Sequence, residues 1–246
     1  MSGSTVWGFW GTLLWGIVIT LLFIVGQLIP IVIYFYLNSQ DRTLDSFFIF
    51  LQTIDTDAFL LALSVISSAI IVVPLVLGMA KLKRGSTIRD YFSFHIISWR
   101  TFFRWFLVLL VLLVFESYII ELFGVDEIPS FMMNIEFQTV GSIWLLIFAV
   151  SIAAPLLEEI VFRGFLLKGF SDTFMGTYGA IVVTSLLWAT MHLQYESAYV
   201  FVIFIVGLVF GYARVKTNSI LTPMMMHFFM NIVASFGLFI EKGNFV

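Results

Sequence analysis

The chain has 246 residues, of which 61% are hydrophobic and 11% charged, and its mean hydropathy is +1.08; a soluble domain carries about 25% charged residues. This composition belongs in a bilayer, and a net charge of −3 with Lys and Arg set beside apolar segments excludes a nucleic-acid partner. The absence of cysteine excludes disulfides, thiolate metal sites and a cysteine nucleophile.

A helix rising about 1.5 Å per residue needs roughly 20 apolar residues to cross a hydrocarbon core about 30 Å thick. Seven runs near that length are predicted, from Trp7 to Leu37, Ala58 to Ala80, Trp105 to Phe123, Gly141 to Phe170, Tyr178 to Leu193, Tyr199 to Ala213 and Ile220 to Ile240. The first has no basic segment before it and is too long for a signal peptide, so it is expected to remain as a span. The first and fourth runs exceed an upright helix and contain Pro30 and Pro155, so each is expected to tilt, kink or divide. The fold class is therefore an all-α integral membrane protein, a polytopic bundle of seven or eight transmembrane helices. It reads as one integrated domain, with N-terminal helices and an interfacial segment in residues 1–139 and the chemistry-bearing helices in residues 140–240.

Basic residues in short loops stay on the cytoplasmic side. Lys81, Lys83, Arg84, Arg89, Arg100 and Arg104 share the second connection, Arg163 and Lys168 border the fourth, and Arg214 and Lys216 lie at the sixth. Arg42 and Lys242 fall on the other side, so seven spans place the N-terminus inside and the C-terminus outside. The stretch from Tyr91 to Phe106 interleaves Phe, Trp, Tyr and Arg and is predicted as an amphipathic interfacial helix, with His95 in it and no chemical role. Gly207 and Gly211 form a GxxxG pair that predicts close backbone packing on the sixth span. Glu116, alone in the third span, reads as a packed or hydrogen-bonded side chain.

Ionisable side chains inside a membrane need a partner, a cavity or a function. Glu159 and Arg163 are i, i+4 and share a helix face, whereas Glu158 is turned about 100° away. Arg163 can then neutralise Glu159 while Glu158 faces elsewhere, free to act as a general base. If the fourth and fifth spans fold back near Met175, Glu158 lies 17 residues before the turn and His192 17 after it, which brings them to one depth. His227 and Asn231 are again i, i+4, a polar pair on an otherwise apolar helix, and so point into the bundle.

These residues carry a resemblance. Glu158-Glu159-x-x-x-Arg163, then Trp188-x-x-x-His192, then His227-x-x-x-Asn231, each on an apolar span and in this order, resemble the CPBP (Abi) family of CAAX proteases and bacteriocin self-immunity proteins. Arg163-Gly164 and the stretch Asn218 to Pro223 match its context, and the resemblance covers about Gly141 to Gly237. It implies a glutamate-dependent intramembrane endopeptidase of about eight helices. Glu158 and His192 would activate water, His227 and Asn231 would stabilise the oxyanion, and Glu159 with Arg163 would brace the helix. No cofactor is implied on this reading; the alternative is a zinc ion held by Glu158, His192 and His227, although the His-Glu-x-x-His helix signature is missing. The expected partners are a hydrophobic or lipidated peptide or protein substrate and membrane lipids, in a multi-pass protein of a prokaryotic plasma membrane. The competing function is a non-catalytic membrane partner, such as a bacteriocin self-immunity or scaffold protein.

Overall fold

The computed structural model describes residues 7–82 and 87–243; Lys83 and Arg84, used above for orientation, lie outside the described residues. In lipid every backbone polar group must be satisfied internally, which drives apolar runs into helices. The described residues contain six helices long and apolar enough to cross a membrane: α1 (Gly8–Asn38), α3 (Ala58–Leu82), α5 (Trp99–Leu122), the composite helix Val140–Ser171, α11 (Ser197–Thr217) and α12 (Leu221–Lys242). The protein is thus a multi-pass, all-helical integral membrane protein. The remaining predicted run forms α10 (Gly176–Thr190), whose 15 residues are fewer than an upright span requires. Neither long run divides. Pro30 lies inside an unbroken α1, and Pro155 inside a helix that runs on through two wide turns.

Small residues and hydroxyls set the helix approaches, as expected where lipid gives no hydrophobic drive to helix pairing. A Cβ at Gly26 would stand 2.7 Å from the Ser68 Cα, so α1 and α3 touch at backbone distance. Ser64 and Ser68 then donate across this contact to the carbonyls of Gln27 (3.2 Å) and Phe23 (3.1 Å). The predicted GxxxG contact forms between α11 and α10: a Cβ at Gly207 would meet the Ser185 Cβ at 2.9 Å, and one at Gly211 the Ile181 Cγ2 at 3.0 Å.

The loops pair at each end of the bundle. At one end the Ser93 hydroxyl donates to Asn218 Oδ1 (3.1 Å), and the Ile220 N–H donates to the Ser93 carbonyl (3.2 Å). At the other, Asp57 bridges Glu136, Tyr199 donates to the Asp126 carbonyl (2.7 Å), and Lys242 donates to the Ile135 carbonyl.

The interfacial helix expected from Tyr91 to Phe106 does not form. α4 covers only Ile88–Phe92, because Ser93 takes a left-handed φ of 53° and ends it. Ser98 then caps α5, accepting from the Thr101 N–H at 3.3 Å, so Trp99 onward belongs to a long helix. Phe92 is fully buried instead of interfacial, because Gly164 makes room for its ring. A short helix absent from the sequence reading, α2 (Leu44–Leu51), is capped by Thr43 and lays Phe47 and Phe50 against Phe35, with ring centroids 5.0 and 5.5 Å apart.

Candidate active site

The composite helix holds the two glutamates at a change of helical type. It begins as α7 (Val140–Phe148), widens into a π turn (Ala149–Ala153), returns as α8 (Ala154–Glu158), widens again (Glu159–Leu166) and ends as α9 (Leu167–Ser171). Pro155 has no N–H and its ring crowds the carbonyl four residues back, which favours the wide turn ahead of it. A π turn leaves backbone groups out of the α ladder. The carbonyl of Val150 is met by Asn231 Nδ2 from α12 at 2.8 Å.

All eight residues from Glu159 to Leu166 are buried, Glu159 and Arg163 completely. Buried charges must be paired, and these are, through Glu159 Oε1, whereas Oε2 is buried without a hydrogen-bond partner. Arg163 Nη1 lies 3.2 Å from Glu159 Oε1, and Nη2 is 3.5 Å from the Gly207 carbonyl. The guanidinium also sits 4.3 Å from the Trp188 ring centroid and 5.6 Å from that of Phe210. The i, i+4 ion pair read from the sequence is therefore present.

Glu158 differs in access: its side chain is 18% exposed, against 0% for Glu159. The Trp188 indole N–H donates to Glu158 Oε2, and His227 Nε2 stands 3.9 Å from the same oxygen. His227 bridges the two carboxylates, because its Nδ1 is 3.0 Å from Glu159 Oε1. The other edge of the same ring, Nε2, faces Glu158 from beyond hydrogen-bond distance. Phe210 and Trp188 pack against the imidazole and against each other, with ring centroids 5.6 and 5.3 Å from it.

His192 lies two residues beyond the end of α10, in the turn before α11. Among the described residues no hydrogen bond or ion pair joins it to Glu158. Both instead meet Trp188: the His192 Nδ1 is 3.0 Å from the Trp188 carbonyl, and the two rings pack edge to face at 5.4 Å. Tyr195 packs tilted beyond it at 5.9 Å, and burial together with the charge of Glu158 pushes its phenol up to about 12. Trp188, Gly207, Phe210 and Tyr195 were missed as site residues. The aromatic position of the Trp188-x-x-x-His192 motif was the available signal for the first.

Among the described residues no group of three His, Asp or Glu side chains stands close enough together to hold a metal ion; His227 keeps Nδ1 on Glu159, His192 keeps Nδ1 on the Trp188 carbonyl, and Glu158 accepts from the Trp188 indole.

This arrangement pairs one sealed, neutralised carboxylate with one accessible carboxylate set among N–H donors, in an apolar helical wall. Residues 140–233 match the family model described as "Type II CAAX prenyl endopeptidase Rce1-like", so this part of the chain, less than half of its length, is similar to that family. A curated relative from Escherichia coli, named "Uncharacterized 24.3 kDa protein", is 33% identical over 115 residues, which cover 46% of this chain and 47% of the relative. The aligned region thus spans about half of that protein's length. No solved structure matches the chain significantly.

Proposed function

We propose that the protein is an intramembrane endopeptidase that cleaves a hydrophobic or lipid-modified membrane peptide, with Glu158 and His192 activating the water. The family match supports protease chemistry, and the observation that carries the assignment is the asymmetry of the glutamates. Glu159 is wholly buried and committed to Arg163 and His227, whereas Glu158 is partly open beside Trp188 and His227. In the step, Glu158 takes a proton from water as its oxygen bonds to the scissile carbonyl carbon, and that proton passes to the departing amine as the C–N bond breaks. His192, held at the Trp188 carbonyl, orients the water from the loop side. His227 at Nε2 and Asn231, through the amide hydrogen not given to Val150, supply donors to the developing oxyanion. Activation by these groups requires no metal. Seven passages of the chain, with α10 as the short one, form a single domain in which residues 1–139 support the catalytic helices of residues 140–240. The cell membrane of a prokaryote is the proposed location.

The test is peptidase assay of the purified full chain with fluorogenic membrane peptides, lipidated and unmodified. Glu158→Gln should lose turnover while keeping thermal stability near wild type, since the amide still accepts from Trp188 but cannot take the proton. Cleavage retained by Glu158→Gln would overturn the assignment. A wild type that cleaves nothing, yet whose biological activity survives Glu158→Gln and His192→Ala, would make it a self-immunity or scaffold protein on this fold.

A further inference from the structure

Away from Glu158, a cavity of about 440 Å³ opens among α4, α9, α10 and α11, at the end of the bundle where Lys and Arg concentrate. Its lining is polar and charged, unlike a lipid-facing groove, with Asp90, Lys168, Asp172 and Arg214 contributing and His95 completing the titratable set.

Arg214 is the unusual member. It is only 6% exposed, and its Nη2 donates to the neutral Ser93 hydroxyl at 2.8 Å. Its Nε is buried without a hydrogen-bond partner, and among the described residues no carboxylate stands within ion-pair distance. Arg163, buried completely, has Glu159; Arg214 has, besides Ser93, the carbonyl end of α11, which favours a cation without neutralising it. A guanidinium in this state matches phosphate, which it can bind through two parallel N–H donors.

The acids of the lining are Asp90 and Asp172. Asp90 on α4 accepts from the Thr87 hydroxyl at 2.6 Å. Asp172 ends α9, 3.4 Å from Lys168, and burial together with the charge of Asp172 pushes the neighbouring Tyr91 phenol up. Two acids and two bases sum to no net charge, so the lining complements a ligand of both signs better than a simple anion. Among the residues lining the cavity none is aromatic, whereas quaternary ammonium groups are recognised by aromatic cages. Carboxylates instead favour a primary ammonium with N–H donors to give.

We propose that this cavity binds a phosphoethanolamine group, its phosphate toward Arg214 and Lys168 and its ammonium toward Asp90 and Asp172. The group can arrive as a phospholipid headgroup, since the cavity lies at the ends of membrane helices, or as the free zwitterion. Binding here is independent of peptide cleavage at Glu158.

The experiment follows thermal unfolding of the purified full chain in neutral detergent. Short-chain phosphatidylethanolamine, phosphatidylcholine and phosphatidylglycerol with identical acyl chains are titrated, and free phosphoethanolamine separately. The ethanolamine lipid should stabilise saturably, at a half-saturating concentration at least tenfold below those of the other two. Stabilisation by free phosphoethanolamine at comparable concentration would mean that the headgroup suffices; its failure, beside a working lipid, would assign the site to lipid. Arg214→Gln should remove the preference. Thr177→Leu, which fills the cavity while leaving every charge in place, should do the same and serves if Arg214→Gln fails to fold. Equal stabilisation by all three lipids, or a preference that survives Thr177→Leu, would overturn the proposal.

Discussion

Replacing Glu159 by glutamine tests the division of labour between the two carboxylates through stability. Glu159 and Arg163 are both fully buried and 3.2 Å apart, so the substitution leaves a guanidinium in the bundle without its counterion. Removing one partner of a buried pair costs about 3–5 kcal/mol. The lower end applies, because the glutamine oxygen can still accept from Arg163 and His227, and the Trp188 face still covers the cation. For a chain of this size about 3 kcal/mol corresponds to a drop in Tm of roughly 6–12 °C. The double variant Glu159→Leu with Arg163→Met removes both charges at similar volume, and such replacements are often neutral or stabilising. It should regain most of the lost Tm while remaining inactive, since His227 would have lost the carboxylate that orients it. Differential scanning fluorimetry in detergent, run as a double-mutant cycle, reads all of this. A Glu159→Gln protein within 2 °C of wild type, or a double variant less stable than the single one, would refute the reasoning (resolvable against about 2–4 °C per kcal/mol).

Three other outcomes are expected. Gly207→Ala places a Cβ 2.9 Å from that of Ser185 and so forces α10 from α11; a loss of about 1–3 kcal/mol in an unfolding titration should accompany lower activity, because the Gly207 carbonyl also faces Arg163. Cysteines introduced at Arg89 and Glu127, both exposed, should react with a membrane-impermeant reagent from opposite faces, and labelling from one face would sink the seven-passage path. Purified active protein should contain no stoichiometric zinc and keep its activity through prolonged chelation; activity lost on chelation and restored by one equivalent of metal would replace the water-activating role given to Glu158 and His192.

The spans were legible because apolar length is a one-dimensional property: predicted Ala58 to Ala80 is helical over Ala58–Leu82, and predicted Ile220 to Ile240 over Leu221–Lys242. The Glu159–Arg163 pair was legible for a similar reason, since an i, i+4 spacing holds within one helix whatever surrounds it. Contacts between helices were less so. Counting residues from Met175 matched the depths of Glu158 and His192, but α10 ends at Thr190, and His192 turns back onto the Trp188 carbonyl. The role of His227 as a bridge between both glutamates depends on how α12 is rotated, which no spacing states. The π turns leave no mark in composition, because a slip of one hydrogen bond changes no residue type. The aromatic and arginine pattern after Tyr91 was misleading because two serines, Ser93 and Ser98, divide it.

The two π turns also alter what the composite helix presents along its length. From α7 through the first of them into α8, Val140, Trp144, Phe148, Ile152 and Leu156 recur every four residues as an exposed apolar stripe, whereas from Glu159 to Leu166 every residue is enclosed. A helix of uniform pitch would carry one stripe from end to end. Each wide turn inserts an angular offset, so the outer and inner halves of one rod are phased separately, and Glu158 marks the seam. Deleting one residue between Glu159 and Arg163 would restore ordinary pitch and shorten their spacing from i, i+4 to i, i+3, so their ion pair would have to be remade although every side chain of the site was still in the chain.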